Sequence, residues 1–387
     1  MNTHFGPCQH GKKMMNRCIT LLSLCLLIGA QNLDAQPFAY RQGVSLSHWT
    51  GNMIDDHTYA DSAWFNKKDV EWIARTGVDH IQVYVAGNEI ISVEGVILPE
   101  KIAALDSLIN WSRGLGLGVL ISPGRMPAFI PDSTLSKEAQ TELRLKKQVD
   151  YMGVFANYFR NHGDNIRFMI TAGGDDHSIR SRYFAAVITE IRKTNPSRKL
   201  YVMAYSINHL PDLYIPKNDS NIIVSAEMSQ SSEAKSEAID VFVWQHQEYY
   251  FSKGVPSVTF PGTVPKLDTF TTDLSKWAIK FSGAGLRKDY FETKFKTVKK
   301  WMTENHPDLE FYVPYWRYWT GYPFDPATIK DKHSVQNFIN AFVNAAKKNN
   351  ITWCFYDYNS GSSIRYESGE ESFLLKTMRL KRTAGSL

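Results

Sequence analysis

Cysteine is scarce in this chain: four among 387 residues, at positions 8, 18, 25 and 354. No CxxC or HExxH pair occurs, so neither a disulfide-stapled scaffold nor a zinc motif is expected. Charge of one sign is also lacking. The 44 Lys and Arg against 39 Asp and Glu leave a net +5 with no basic run, which argues against a nucleic-acid partner. No GxGxxG or P-loop follows the first strand-like segment, so the nucleotide-binding folds lose their signature and no cofactor is expected. Aromatic residues, in contrast, are abundant, with 10 Trp, 19 Tyr and 21 Phe. Such a surplus suits a large core, and it equally suits flat sugar rings packing on aromatic faces.

The first 35 residues read as an N-terminal extension and a signal peptide. Met14 or Met15 with Arg17 makes a short basic start, Ile19 to Ala30 is apolar, and Leu33-Asp34-Ala35 offers a cleavage site before Gln36. The apolar stretch falls short of the roughly 20 residues of a membrane span, so no integral membrane segment is expected after signal removal. A buried N-terminal helix is the other reading of the same residues. Cys25 follows Leu24, where a lipoprotein signal takes a small residue, so a lipid anchor is not expected. The expectation is a secreted or periplasmic protein whose single domain is residues 36–387. Three of the four cysteines leave with the leader, and Cys354, within ITWCFYDY, reads as a small buried hydrophobe rather than a nucleophile.

Beyond the leader, short apolar runs alternate with helix-period segments. Strands are expected at 43–48, 79–85, 117–122, 166–171, 200–205, 221–227, 310–315 and 351–357. Helices are expected at 66–76, 101–113, 137–160, 179–193, 290–305 and 333–349. Apolar runs bounded by turn residues are what strands buried on both faces look like. Eight of them with intervening helices predict an α/β fold, a (β/α)8 TIM barrel with a long insertion after strand six, at about 228–285. A doubly wound open sheet is the competing topology.

Particular segments carry a resemblance. GVSLSHW at 43–49, WFNKKDVEWIARTGVDHIQVYV at 64–85 and LDSLINWSRGLGLGVLIS at 105–122 resemble the opening of glycoside hydrolase family 5, the cellulase-like retaining glycosidases. ITEIRKTNPSRKLYVMA at 188–204, NIIVSAEM at 221–228, FVWQHQEYY at 242–250, VPSVTFPG at 255–262 and ITWCFYDYNSG at 351–361 follow the same family in order. The resemblance implies a barrel with a sugar-binding groove on its C-terminal face, and a role in polysaccharide catabolism. It also implies two glutamates, one after strand four and one after strand seven, acting as acid/base and nucleophile. In this chain Ala172 and Gly173 stand at the first place and Tyr315 at the second, with Arg317 close behind. Gln82 replaces the strand-two arginine, Ser-Pro-Gly-Arg at 122–125 replaces the strand-three histidines, and Glu227 falls at the strand-six histidine. The chain thus resembles a divergent member lacking both family glutamates.

Polar groups nevertheless surround the expected mouth. Asp175, Glu227 and Tyr315 are the candidate catalytic residues: an aspartic acid as proton donor, and Glu227 as partner carboxylate or as base for a Tyr315 nucleophile. His48, Trp49, Asp176, His177, Trp316, Arg317, Trp319, Tyr356 and Asp357 are the candidate substrate-binding residues. Bland readings stand beside these. Asp175 and Asp176 suit the cap of the helix from Ser178, and Glu227 suits a structural ion pair with Arg317. Strand alternation buries part of the Tyr315, Trp316, Tyr318 and Trp319 cluster. Trp244, Tyr249, Tyr250 and Phe260 suit either core packing or a lid. Two functions follow: hydrolysis of O-glycosyl bonds in a poly- or oligosaccharide by a non-standard site, or a catalytically inactive barrel, a pseudoenzyme that binds glycans.

Overall fold

A computed structural model describes residues 38–46, 66–124, 133–171, 177–204, 206–227, 258–264, 280–316, 331–356, 358, 364 and 371–380. Eight parallel strands close a barrel: β1 (Gln42–Leu46), β2 (His80–Ala86), β3 (Gly118–Gly124), β4 (Ile166–Thr171), β5 (Leu200–Ala204), β6 (Ile222–Ala226), β7 (Glu310–Trp316) and β8 (Thr352–Phe355). Each strand pairs with its sequence neighbours, and β1 joins both β2 and β8. Closure rules out the open sheet. Helices α1 (Lys67–Arg75), α2 (Gly87–Ile90), α3 (Pro99–Gly114), α4 (Lys137–Tyr158), α5 (His177–Arg192), α6 (Tyr290–Asn305), α7 (Lys332–Lys348) and α8 (Phe373–Met378) follow the strands. A 3₁₀ turn at Ile207–Asp212 follows β5 instead. Between β6 and α6 the described residues include a two-residue antiparallel pair, Gly262–Thr263 with Gly285–Leu286.

Local sequence explains where the helices begin. Asn66 caps α1, accepting from the Lys68 amide at 2.8 Å while the Asp69 carboxylate accepts from the Asn66 amide at 2.9 Å, a capping box. Asp69 also accepts from the Tyr358 hydroxyl at 2.9 Å, which ties α1 to the chain after β8. Pro99 opens α3, where its missing N–H costs nothing. Ser136 caps α4 through the Ala139 amide.

The alternation of each strand divides the interior into two layers. Outward-facing Val, Ile and Phe of the strands meet the helices in the main core, and a smaller set fills the lumen. The lumen is plugged at the N-terminal ends of the strands. Tyr40 lies there with its hydroxyl shared between the carbonyls of Asn165 (2.8 Å) and Val119 (3.2 Å). Gly118 makes room for it, since a β-carbon at 118 would sit 2.4 Å from the ring. The Arg167 guanidinium lies 3.7 Å from the Tyr40 ring centroid and donates to the Tyr201 hydroxyl at 2.9 Å. Above this floor a polar chain crosses the barrel. Asp79 holds His80 Nδ1 at 2.7 Å, His80 Nε2 meets the Tyr312 hydroxyl at 2.9 Å, and that hydroxyl donates to Gln82 Oε1 at 2.9 Å. Cys354 is fully buried in the same luminal layer, as a small hydrophobe would be.

Candidate active site

The C-terminal ends of the strands open the lumen, and alternation dictates what lines it. On β2 the inward positions are His80, Gln82 and Tyr84; on β3 they are Leu120, Ser122 and Gly124. Glu227 follows Ser225 at the end of β6, half-buried, with its amide donating to the Ala204 carbonyl at 3.4 Å. Tyr315 comes from β7 and Tyr356 from just beyond β8, their ring centroids 5.9 Å apart in an edge-on arrangement.

Tyr315 reaches the lumen because β7 is irregular. Val313 pairs with Trp353, but Trp316 pairs with Phe355, so β7 carries one extra residue across this interval. Such a bulge inverts the alternation. Tyr312 and Tyr315 therefore both join the luminal layer, while Trp316 joins the outer core. The Tyr315 phenol is pushed up above its ordinary range by burial, and the Glu227 and Tyr356 side chains beside it raise it further; the adjacent Ser122 hydroxyl offsets part of this. At neutral pH the phenol keeps its proton, so its use as a nucleophile requires a base.

Glu227, Tyr315 and Tyr356 thus share one end of the barrel, as the sequence leads one to expect. Trp316 does not join them. It is 0 % exposed, its indole stacked on Phe342 at 3.9 Å between centroids with the planes 9° apart. It is a core residue under α7, not a groove residue, and the bulge is the reason. For Phe260, where core packing and a lid were both open, the core reading holds: it is buried edge-on against Phe338, and its amide donates to the Ser334 hydroxyl at the start of α7. A lid residue would be exposed; this one is not. His48, Trp49, Asp175, Asp176, Arg317, Trp319 and Asp357 lie outside the described residues, as do Trp244, Tyr249 and Tyr250; His177 opens α5, but its side chain is not described. Tyr84 was missed in the sequence, where it reads as one more strand residue. The signal was available in the alternation with His80 and Gln82. Among the described residues no group of three His, Cys, Asp or Glu side chains is placed to hold a metal ion, and no helix is long and apolar enough to cross a membrane.

This architecture is a closed (β/α)8 barrel, and its fold is similar to that of several solved endoglucanases. The clostridial cellulose synthase subunit Z from Clostridioides difficile superposes with a TM-score of 0.62 at 18 % identity, over 88 % of this chain and 99 % of that one. A broad-specificity endoglucanase from Clostridium acetobutylicum gives 0.61 at 14 % identity, covering 89 % and 97 % of the two chains. Thermotoga maritima Cel5A, solved with mannotriose, gives 0.62 at 13 % identity, covering 88 % and 98 %. No protein-family model matches the chain, and no curated protein matches it.

Proposed function

We propose that the protein is an exported glycosidase that hydrolyses O-glycosyl bonds of a poly- or oligosaccharide, with Tyr315 as nucleophile and Glu227 as its base. What supports this reading is that Tyr315, half-buried on β7, and Glu227, one residue past β6, stand at the same end of the barrel, with the Glu227 charge acting on the phenol. The Tyr315 oxygen attacks the anomeric carbon as its proton passes to Glu227. The glycosidic C–O bond breaks, and the departing oxygen takes a proton from Asp175. Water, deprotonated by the Asp175 carboxylate, then attacks the same carbon, and the leaving phenolate recovers its proton from Glu227. Two displacements retain the anomeric configuration. The solved neighbours whose names specify endoglucanases support an internal β-glycan bond as the target.

A second reading is favoured by one observation. Ala172 and Gly173 stand where the resemblance expects the acid glutamate, and a barrel without that acid binds glycans and releases no sugar. Release of reducing ends from carboxymethyl cellulose, glucomannan and xyloglucan separates the two. The expected outcome is turnover that falls by at least about 10²-fold in both Glu227→Gln and Tyr315→Phe, the scale of general acid–base and nucleophile losses. Wild-type binding without turnover establishes the binder instead.

A further inference from the structure

We infer that the floor end of the barrel carries a second glycan site, a cationic cleft that holds an acidic, uronate-bearing polysaccharide; this rests on the carbohydrate reading above only for the sugar chemistry of its ligand. The cleft, of about 930 Å³, opens among the starts of β1 and β8 and the C-terminal ends of α7 and α8. Glu227 and Tyr315 stand at the opposite ends of their strands. Three cations line the cleft: Arg41 just before β1, Lys347 in the last turn of α7, and Arg379 at the C-cap of α8. All three are exposed, and none of their side chains has a hydrogen bond or ion pair among the described residues. The one carboxylate among the described lining residues, Asp79, is nearly buried and committed. It accepts from the Arg41 and Gln42 amides and faces His80 Nδ1 at 2.7 Å.

A cation at a helix C-terminus complements the macrodipole, which accounts for Lys347 and Arg379. It does not account for Arg41, which precedes a strand. Nor does it explain three cations left without carboxylates on a surface that elsewhere pairs Lys146 with Asp150, Arg182 with Glu142 and Lys348 with Glu292. Between the charges lie amides. Asn340 and Asn344, one turn apart on α7, are exposed in the same cleft and have no partner among the described residues. Asparagine is a poor helix former, but its carboxamide offers donors and acceptors together, as sugar hydroxyls require. A second cleft, of about 830 Å³, runs between α6 and α7 and is lined by the same two asparagines. Its carboxylates, Asp289 and Glu292, are paired with Arg287 and Lys348, whereas Lys288 is left over. A chain laid over α7 therefore meets cations at both ends and amides between them. Uronate carboxylates complement the first and ring hydroxyls the second.

The test is calorimetric titration of the full chain with oligogalacturonate, with its methyl ester, in which the carboxylates are masked, and with oligoglutamate. The variants are Arg41→Gln, Lys347→Ala, Arg379→Gly, the three combined, and Lys347→Arg. Glycine suits position 379, where φ is 49°, and melting temperature establishes that each variant is folded. Wild type is expected to bind oligogalacturonate in preference to both other ligands, and less tightly as salt rises from about 0.1 to 1 M and the screening length shrinks from about 10 to 3 Å. Each single loss of charge is expected to weaken binding by up to about fivefold, the scale of an exposed ion pair, and the combination by more than about tenfold. Lys347→Arg, which keeps the charge, is expected to stay within about twofold. Tyr315→Phe, at the other end of the barrel, is expected to leave this affinity unchanged. Absence of wild-type binding, binding that survives in the combined variant, or equal affinity for the methyl ester overturns the site. Equal affinity for oligoglutamate overturns the glycan as its ligand. Glucomannan turnover is read alongside, and its absence defeats the hydrolase reading alone, because binding at the floor end is scored without catalysis.

Discussion

Replacing Trp316 by alanine separates packing from recognition. The indole is enclosed by Phe342 at 3.9 Å, Phe355 at 5.2 Å, Trp353 at 5.8 Å and Phe338 at 6.4 Å between ring centroids. An aromatic side chain of this kind buries about 150–250 Å². At roughly 25 cal/mol per Å² that is about 4–6 kcal/mol, an upper figure because the unfolded chain already hides part of the surface. Trp→Ala and Phe→Ala changes in cores cost about 3–5 kcal/mol, so a loss of about 4 kcal/mol is expected. Trp316→Phe should lose far less. It keeps a ring on Phe342, and it removes an indole N–H that is buried with no partner among the described residues. Burial of such a donor costs about 1–3 kcal/mol, which offsets much of the lost volume. Urea unfolding followed by far-ultraviolet circular dichroism measures both, without relying on tryptophan emission that the substitution itself alters. The reasoning is refuted by an alanine variant that loses under about 1 kcal/mol, well below the core range, while its glycan affinity collapses; Trp316 would then be a ligand contact after all.

Stability should fall steeply above pH 10, because burial raises the phenols of Tyr40, Tyr201, Tyr312 and Tyr315 above their ordinary value. Between the unfolded and folded values the unfolded chain holds fewer protons, so four such groups cost about 5 kcal/mol per pH unit; a urea midpoint unchanged between pH 9 and pH 11 would contradict this. Arg198 donates to the carbonyls of Phe159, His162, Gly163 and Ile166, so Arg198→Ala should destabilise by about 2–4 kcal/mol through orphaned acceptors. A change in urea midpoint indistinguishable from wild type would show those carbonyls to be served by water. Asn66→Ala should cost about 1 kcal/mol by removing the cap of α1, read as a small shift in the same midpoint.

The barrel was legible because strands buried on both faces leave continuous apolar runs. Ile166–Thr171 and Tyr290–Asn305 occupy the expected positions residue for residue, since turn residues and charged flanks bound both sharply. The direction of single side chains on β7 was not legible. Strict alternation from Tyr312 would send Pro314 and Trp316 inward, and the extra residue before Trp316 reverses the phase. Nothing in the local sequence except a proline, which cannot donate to a sheet ladder, marks that place. Tyr40 was equally hidden. Its acceptors lie 79 and 125 residues away, and a floor formed by such distant strands has no local signature. Of the candidate site, Tyr315 lies on β7 and Glu227 one residue past β6, where the strand still fixes position, whereas Asp175 falls four residues past the end of β4, where period carries no information.

The Tyr40 floor has a further consequence for traffic. With the phenol, Arg167 and Tyr201 filling one end and Leu120, Met169, Ile223 and Tyr312 packed above them, the described part of the lumen is solid rather than a channel. Under the glycosidase reading proposed above, a polymer would lie across the mouth of the barrel and could not thread through it.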